Sequence, residues 1–193
     1  MRKVEIISRR RIFDDIFSIE EAHLRFERHD GRMSEPVRRL NFERGDSVAA
    51  LVVNAERRTV YLTEQFRYAT LAHGGGWLTE LVAGSIDAGE ATADCIRREI
   101  REELGIAAET VEEIAEFFMS PGGTSERTIL FCAVVSDADR VEEGGGLAGE
   151  HEDIKVLEWP VDEFLARMHA LKDAKTLIAG YWLKENLAKV LSR

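Results

Sequence analysis

Gly84-Ser85-Ile86-Asp87-Ala88-Gly89-Glu90-Ala91-Thr92-Ala93-Asp94-Cys95-Ile96-Arg97-Arg98-Glu99-Ile100-Arg101-Glu102-Glu103-Leu104-Gly105-Ile106 is the stretch whose reading decides the fold. After Gly89 the apolar residues Ala93, Ile96, Ile100 and Leu104 recur at three or four positions, the stripe of an amphipathic helix. Gly105 stops it as a C′ glycine does, so a helix is expected from Glu90 to Gly105. On that helix Glu99, Glu102 and Glu103 project from one side, three or four residues apart. Like charges at that spacing cost only a few tenths of a kcal/mol on a solvated helix, so a bare acidic face is tolerable by itself and context must decide. Hard divalent cations such as Mg²⁺ take carboxylate oxygens, keep several waters and bridge to phosphates, which gives such a face a use beside a phosphate cleft. Gly84 and Gly89 are expected to let the backbone turn tightly before the helix, and Glu90 to brace the turn against Arg98.

Upstream, the chain is strand-like. Val4 to Phe42 alternates apolar and polar residues with a hairpin turn at Asp30-Gly31, Ser47–Val53 and Thr59–Tyr68 flank a turn, and Trp77–Val82 adds a strand. Downstream, strands are expected at Val111–Phe118, Thr128–Val135 and Ile154–Trp159, then helices over Val161–His169 and Ala174–Leu191. Two glycine runs, 74–76 and 144–146, lack the strand-to-helix setting of a nucleotide-binding phosphate loop and read as flexible loops. The expected fold class is α/β: a mixed sheet with flanking helices over residues 46–193, plus an antiparallel β-extension over residues 1–45.

With 36 acidic residues against 26 Lys and Arg, a net charge of −10 and a pI near 5.1, the chain lacks the basic excess of a nucleic-acid binder. An anionic substrate must therefore meet clustered arginines or bound cations. Cys95 and Cys132 show neither metal-ligand nor redox spacing and read as buried thiols. Nowhere do about 18 apolar residues run together, and no continuous apolar stretch follows the charges of Met1-Arg2-Lys3-Val4-Glu5, so a cytoplasmic protein is expected.

Gly84, five residues, Glu90, seven residues, then Arg98-Glu99-Ile100-Arg101-Glu102-Glu103-Leu104-Gly105-Ile106 resembles the complete box of the Nudix hydrolases. The resemblance implies an α/β/α sandwich that hydrolyses a nucleoside diphosphate linked to another group. It also implies Mg²⁺ ions, with Mn²⁺ as the alternative, held by Glu99, Glu103 and the Ala83 carbonyl, with Glu102 close by as a catalytic residue.

Three flanking segments look like bacterial ADP-ribose pyrophosphatases: Val37 to Gly45, Glu64-Gln65-Phe66-Arg67, and Ser120-Pro121-Gly122-Gly123-Thr124-Ser125-Glu126-Arg127. Pro121 stands where that subfamily has its diagnostic proline. By the same resemblance Glu152, in Gly149-Glu150-His151-Glu152, is a further metal ligand and Glu150 the general base, on a loop that can swing over substrate. Arg67 takes the phosphate side, Arg39 and Arg44 contact substrate, and so do Ser120, Gly122 and Glu126. Arg38 and Arg57 read as ordinary surface charges, and His151 receives no role. The N-terminal strands are implied to cross to a second copy in a homodimer. Where the subfamily commonly has two adjacent aromatics for the nucleobase, this chain has Ile16-Phe17, so either Phe17 stacks on the base or Ile16 supplies an apolar contact with less base preference. ADP-ribose is the first substrate implied. GDP-mannose hydrolases share the box, the Gln-Phe-Arg segment and the Ser-Pro-Gly turn, and a non-catalytic nucleotide-sensing module is the alternative of a different class.

Overall fold

The computed structural model of the chain describes residues 2–147, 149 and 152–192. The chain divides into two compact units, Met1–Asp46 with Phe118–Arg127, and Ser47–Phe117 with Thr128–Arg193.

The first unit carries a three-stranded antiparallel sheet, β1 (Val4–Asp14), β2 (Ser18–Phe26) and β3 (Val37–Glu43), in that order. The Asp30-Gly31 turn is present, with Gly31 at φ +79° and the Arg28 and Arg32 backbones hydrogen-bonded across it. β1 is an edge strand exposed along its whole length, Val4, Ile6, Ile7, Ile12 and Phe13 included. Arg38 is more than a surface charge. It shares the buried carboxylate of Glu21 with Arg10, and the two guanidiniums hold that carboxyl below its ordinary pKa. Arg57, too, is engaged, with Glu158 at 3.2 Å and Asp137 at 3.5 Å.

The second unit is an α/β/α sandwich. Its strands are β4 (Ser47–Asn54), β5 (Thr59–Phe66), β6 (Trp77–Glu80), β7 (Val82–Ser85), β8 (Glu112–Phe118), β9 (Arg127–Val135) and β10 (Lys155–Pro160). The sheet runs β10-β5-β4-β9-β8 and is mixed because β4 and β9 are parallel while β4–β5 and β5–β10 are antiparallel. The helices are α1 (Leu71–Gly74), α2 (Thr92–Leu104), α3 (Val161–Arg167) and α4 (Ala174–Val190). Central β4 is buried throughout, and its alternation serves both layers. Val48, Ala50 and Val52 pack with Ile96, Ile100 and Leu104 of α2, while Ala49, Leu51 and Val53 pack with Phe164 of α3 and Leu183 of α4. Among the described residues no helix is long and apolar enough to cross a membrane.

Three local departures from the sequence expectations matter for the site. The strand expected over Trp77–Val82 is two strands, because β4 and β5 pair only through Val52–Asn54 and then part. β6 continues on β5, with Glu80 opposite Thr63, and β7 on β4, with Ala83 opposite Ala49. Leu81 sits at the switch, its N–H satisfied by the Thr176 hydroxyl at 3.0 Å. The helix begins at Thr92 rather than Glu90, because Gly89 takes a left-handed φ of +83° and the Glu90 carboxylate accepts from the Asp87 N–H across the turn. Finally, glycines 144–146 are not a free loop. The Gly145 and Gly146 N–H groups donate to the Glu103 and Glu102 carbonyls at 2.8 and 3.0 Å, satisfying acceptors that the last turn of α2 leaves open. A Cβ on Gly144 would lie 2.5 Å from the Glu103 carbonyl oxygen, so glycine is what lets that strand of chain approach.

Candidate active site

The glutamates of α2 separate into two environments. Glu90, just before the helix, forms a paired fork with Arg98, whose Nε and Nη2 donate to its two oxygens at 3.1 Å each. That contact holds the Glu90 carboxyl down at about 2, and Arg98 goes on to donate to Glu99 at 2.7 Å and Glu102 at 3.1 Å. Cys95 is enclosed beside this brace, and burial pushes its thiol up to about 12, which leaves it inert as expected.

Glu99 and Glu103, one turn apart, point into the unit. The Glu99 carboxylate lies over Gly84, where an added Cβ would stand 1.9 Å from its Oε1. Gly84 has no unusual φ, so its glycine is required by space for Glu99 and not by the turn that the sequence spacing had implied. Glu103 is 2% exposed, and its Oε2 is buried without a hydrogen-bond partner. Burial and the neighbouring carboxylates of Glu99, Glu152 and Glu80 push its pKa well up, against the pull of Arg67. Burial is likewise the main cause of a raised Glu99.

Glu152 comes to the same place from the loop before β10. Its Oε2 accepts from the Leu147 N–H at 3.0 Å and packs on Gly146, whose Cβ would fall 2.5 Å from that oxygen. Glu99, Glu103 and Glu152 thus share one electrostatic neighbourhood, and Ala83 lies in β7 directly before the Gly84 that Glu99 covers. Glu150 and His151 lie outside the described residues. Among the described residues no three acidic, His or Cys side chains are already gathered to hold an ion. Glu99 is drawn to Arg98 and Glu152 to the Leu147 amide instead. The donor set nonetheless suits a hard divalent cation: all oxygen, net negative, with one buried carboxylate oxygen that nothing in the described protein satisfies.

Arg67 enters from the end of β5 beside Glu80, a residue that sequence reasoning passed over. Its Nε donates to Glu80 Oε1 at 2.7 Å, and Glu80, 2% exposed, also accepts from Lys175 Nζ at 2.8 Å. Lys175 in turn donates to Asp173 at 2.7 Å, and Asp173 caps α4 through the Thr176 N–H. The Asp173-Ala174-Lys175-Thr176 sequence carried an N-cap signal, but nothing local tied it to Arg67.

The remaining residues expected to contact substrate belong to the first unit. Phe17 packs edge-to-face on Phe42 at 5.2 Å, Arg44 lies over the Phe17 ring at 5.7 Å, and Arg44 Nη1 is 3.5 Å from Glu126. The Ser120–Thr124 turn is closed by the Gly123 and Thr124 N–H groups on the Ser120 carbonyl, and the Phe42 N–H donates to Gly123. Gly122 faces open space. The structure therefore groups Phe17, Arg44 and Glu126. Arg39 donates to the Arg38 carbonyl at 3.0 Å and takes no part in that group, and Ile16 is 88% exposed.

A family model described as the NUDIX domain matches residues 43–179. Among curated proteins, the GDP-mannose pyrophosphatase of Cronobacter sakazakii (strain ATCC BAA-894) is 37% identical over 179 residues, covering 91% of this chain and 92% of that protein. The protein of the same name from Enterobacter sp. (strain 638) is 36% identical over 186 residues, 94% of this chain and 95% of its own. Among solved structures, the crystal structure of an ADP compounds hydrolase superposes with a TM-score of 0.71 at 18% identity, over 95% of this chain and 96% of that one, a likeness of fold. With the box intact on a buried carboxylate pair and the match spanning most of its length, the chain belongs to the Nudix hydrolase family.

Proposed function

We propose that this Nudix hydrolase cleaves the pyrophosphate bond of a nucleoside diphosphate sugar at a Mg²⁺ centre held by Glu99, Glu103, Glu152 and the Ala83 carbonyl. The observation that carries this reading is the buried Oε2 of Glu103, without a hydrogen-bond partner among the described residues and in the field of the Glu99 and Glu152 carboxylates. Divalent cations bound there supply Lewis-acid stabilisation of the diphosphate oxygens and lower the pKa of water. The chain supplies the rest. Arg67 offers a guanidinium to the phosphate side, Glu150 accepts the proton of the attacking water, and Arg98 keeps Glu102 and Glu99 in place from the brace side. Phe17, Arg39, Arg44, Ser120, Gly122 and Glu126 keep the substrate-contact roles implied by their match to the subfamily.

Full-length relatives named GDP-mannose pyrophosphatases support GDP-mannose as the first substrate to assay, giving GMP and mannose 1-phosphate. ADP-ribose, favoured by the Thr124-Ser125-Glu126-Arg127 stretch, is the second, giving AMP and ribose 5-phosphate. A panel of nucleoside diphosphate sugars with Mg²⁺, compared by kcat/KM, tests this, and no hydrolysis of any member overturns it. The proposal extends to a homodimer through the N-terminal extension, residues 1–45, supported by the exposed apolar residues of β1, and a monomer by light scattering refutes it. Cys95 and Cys132, both buried thiols, support a reducing, cytoplasmic setting.

A further inference from the structure

A buried ionic chain runs from the start of α4 to the guanidinium of Arg67. Asp173 Oδ2 accepts from the Thr176 N–H at 2.9 Å and from its hydroxyl at 2.6 Å, while Asp173 Oδ1 and Glu80 Oε2 both accept from Lys175 Nζ, at 2.7 and 2.8 Å. Glu80 Oε1 then accepts from Arg67 Nε at 2.7 Å. Asp173, Lys175 and Glu80 are all withdrawn from solvent, whereas the Arg67 side chain is 40% exposed. Two carboxylates against two cations make the chain neutral. Such a buried arrangement is weak as a source of stability, since desolvation offsets most of its attraction and apolar residues of similar volume often serve as well. What it does provide is orientation.

The division of Glu80 is the informative detail. A carboxylate facing an arginine frequently uses both oxygens in a fork that engages two guanidinium nitrogens. Here Lys175 holds Oε2, so Glu80 meets Arg67 through Oε1 and Nε, and among the described residues neither Nη of Arg67 has a hydrogen-bond partner. Arg67 is also within electrostatic range of Glu103.

We propose that Lys175 is a positioning residue: by occupying one oxygen of Glu80 it keeps both Nη groups of Arg67 available to the substrate diphosphate, an inference that rests on the hydrolytic reading of this site. Without Lys175, Glu80 is left as a buried carboxylate with one cation and closes into a fork on Arg67, removing a donor from the phosphate. Asp173 acts one step further back, fixing Lys175 while it caps α4.

The test is a double-mutant cycle in the full chain. Lys175→Met is expected to lower kcat/KM about tenfold or more, as displaced positioning groups do. In an Arg67→Ala background the same change is expected to have less than about twofold effect, because its target is gone. Lys175→Arg, which can still hold Glu80, restores most of the loss. Equal losses in both backgrounds overturn the proposal, because Lys175 then acts on stability or elsewhere. If Lys175→Met does not fold, Asp173→Asn, which keeps a cap, carries the same cycle with the same two outcomes. A readout independent of turnover is the ¹⁵N spectrum of the Arg67 guanidinium, identified by its loss in Arg67→Lys. Lys175→Met should protect Nη protons that exchange freely in the wild type, and an unchanged spectrum overturns the proposal. Wild-type protein that hydrolyses no nucleoside diphosphate sugar overturns the functional reading alone, while the spectrum still decides the role of Lys175.

Discussion

Glu90 and Glu103 lie thirteen residues apart on one continuous segment, yet their carboxylates are in opposite states. Glu90 has its counter-charge inside the chain, a fork from Arg98 that brings its carboxyl down to about 2. Glu103 is buried with an unpartnered Oε2, and burial together with the neighbouring Glu99, Glu152 and Glu80 carboxylates pushes its pKa up. The difference separates an acid that the fold satisfies from the one proposed to hold metal, whose Oε2 has no partner among the described residues.

The largest effect should come from removing the unsatisfied acid. Glu103→Gln is expected to lower turnover by several orders of magnitude, of the size seen when a principal electrostatic group of an active site is lost. In EDTA the same variant should be at least as stable as the wild type, because a buried carboxylate among carboxylates opposes folding. Urea unfolding measures this, and a clear loss of stability would falsify the contrast drawn with Glu90. Saturating Mg²⁺, at a hundred times its Kd, should add about 2.7 kcal/mol to the wild type and much less to Glu103→Gln.

Next in size is Gly84→Ala. Its methyl must displace the Glu99 side chain from Cγ outward, with no backbone in the way, so the fold should survive while apparent Mg²⁺ affinity falls about ten- to hundredfold. An unchanged metal dependence would show that Glu99 need not sit over Gly84.

The smallest catalytic effect is expected at the brace. Glu90→Gln should retain turnover far better than Glu103→Gln yet lower stability near neutral pH. A carboxyl depressed from its ordinary 4.5 to about 2 stabilises the folded chain above pH 4.5, and that contribution fades as pH falls through 4.5 toward 2. Wild type and Glu90→Gln should therefore differ in stability at pH 6 and converge near pH 2. Acid unfolding curves that stay parallel over this range would remove Glu90 from the role of brace.

Much of this was legible beforehand because it is local. The stripe Ile96, Ile100, Leu104 and the spacing of Glu99 to Glu103 are properties of a helix and follow from residue order. The Glu90–Arg98 pairing spans eight residues and was readable from opposite charges on a short turn. Boundaries were less legible where a distant neighbour set them: β6 and β7 divide at Leu81 because β4 and β5 part there. Glycines 144–146 looked like loop because the helix end that they cap lies some forty residues earlier.

What the sequence determined by itself is the helix, its acidic face and the box, since the i, i+3 and i+4 relations need no tertiary information. The tertiary structure alone decided which of those acids is paired and which is bare, because burial and hydrogen-bond satisfaction depend on what the other layers bring. It also decided that Lys175 and Glu80, 95 residues apart, meet beside Arg67, a pairing that contact across the sandwich creates and no local pattern encodes.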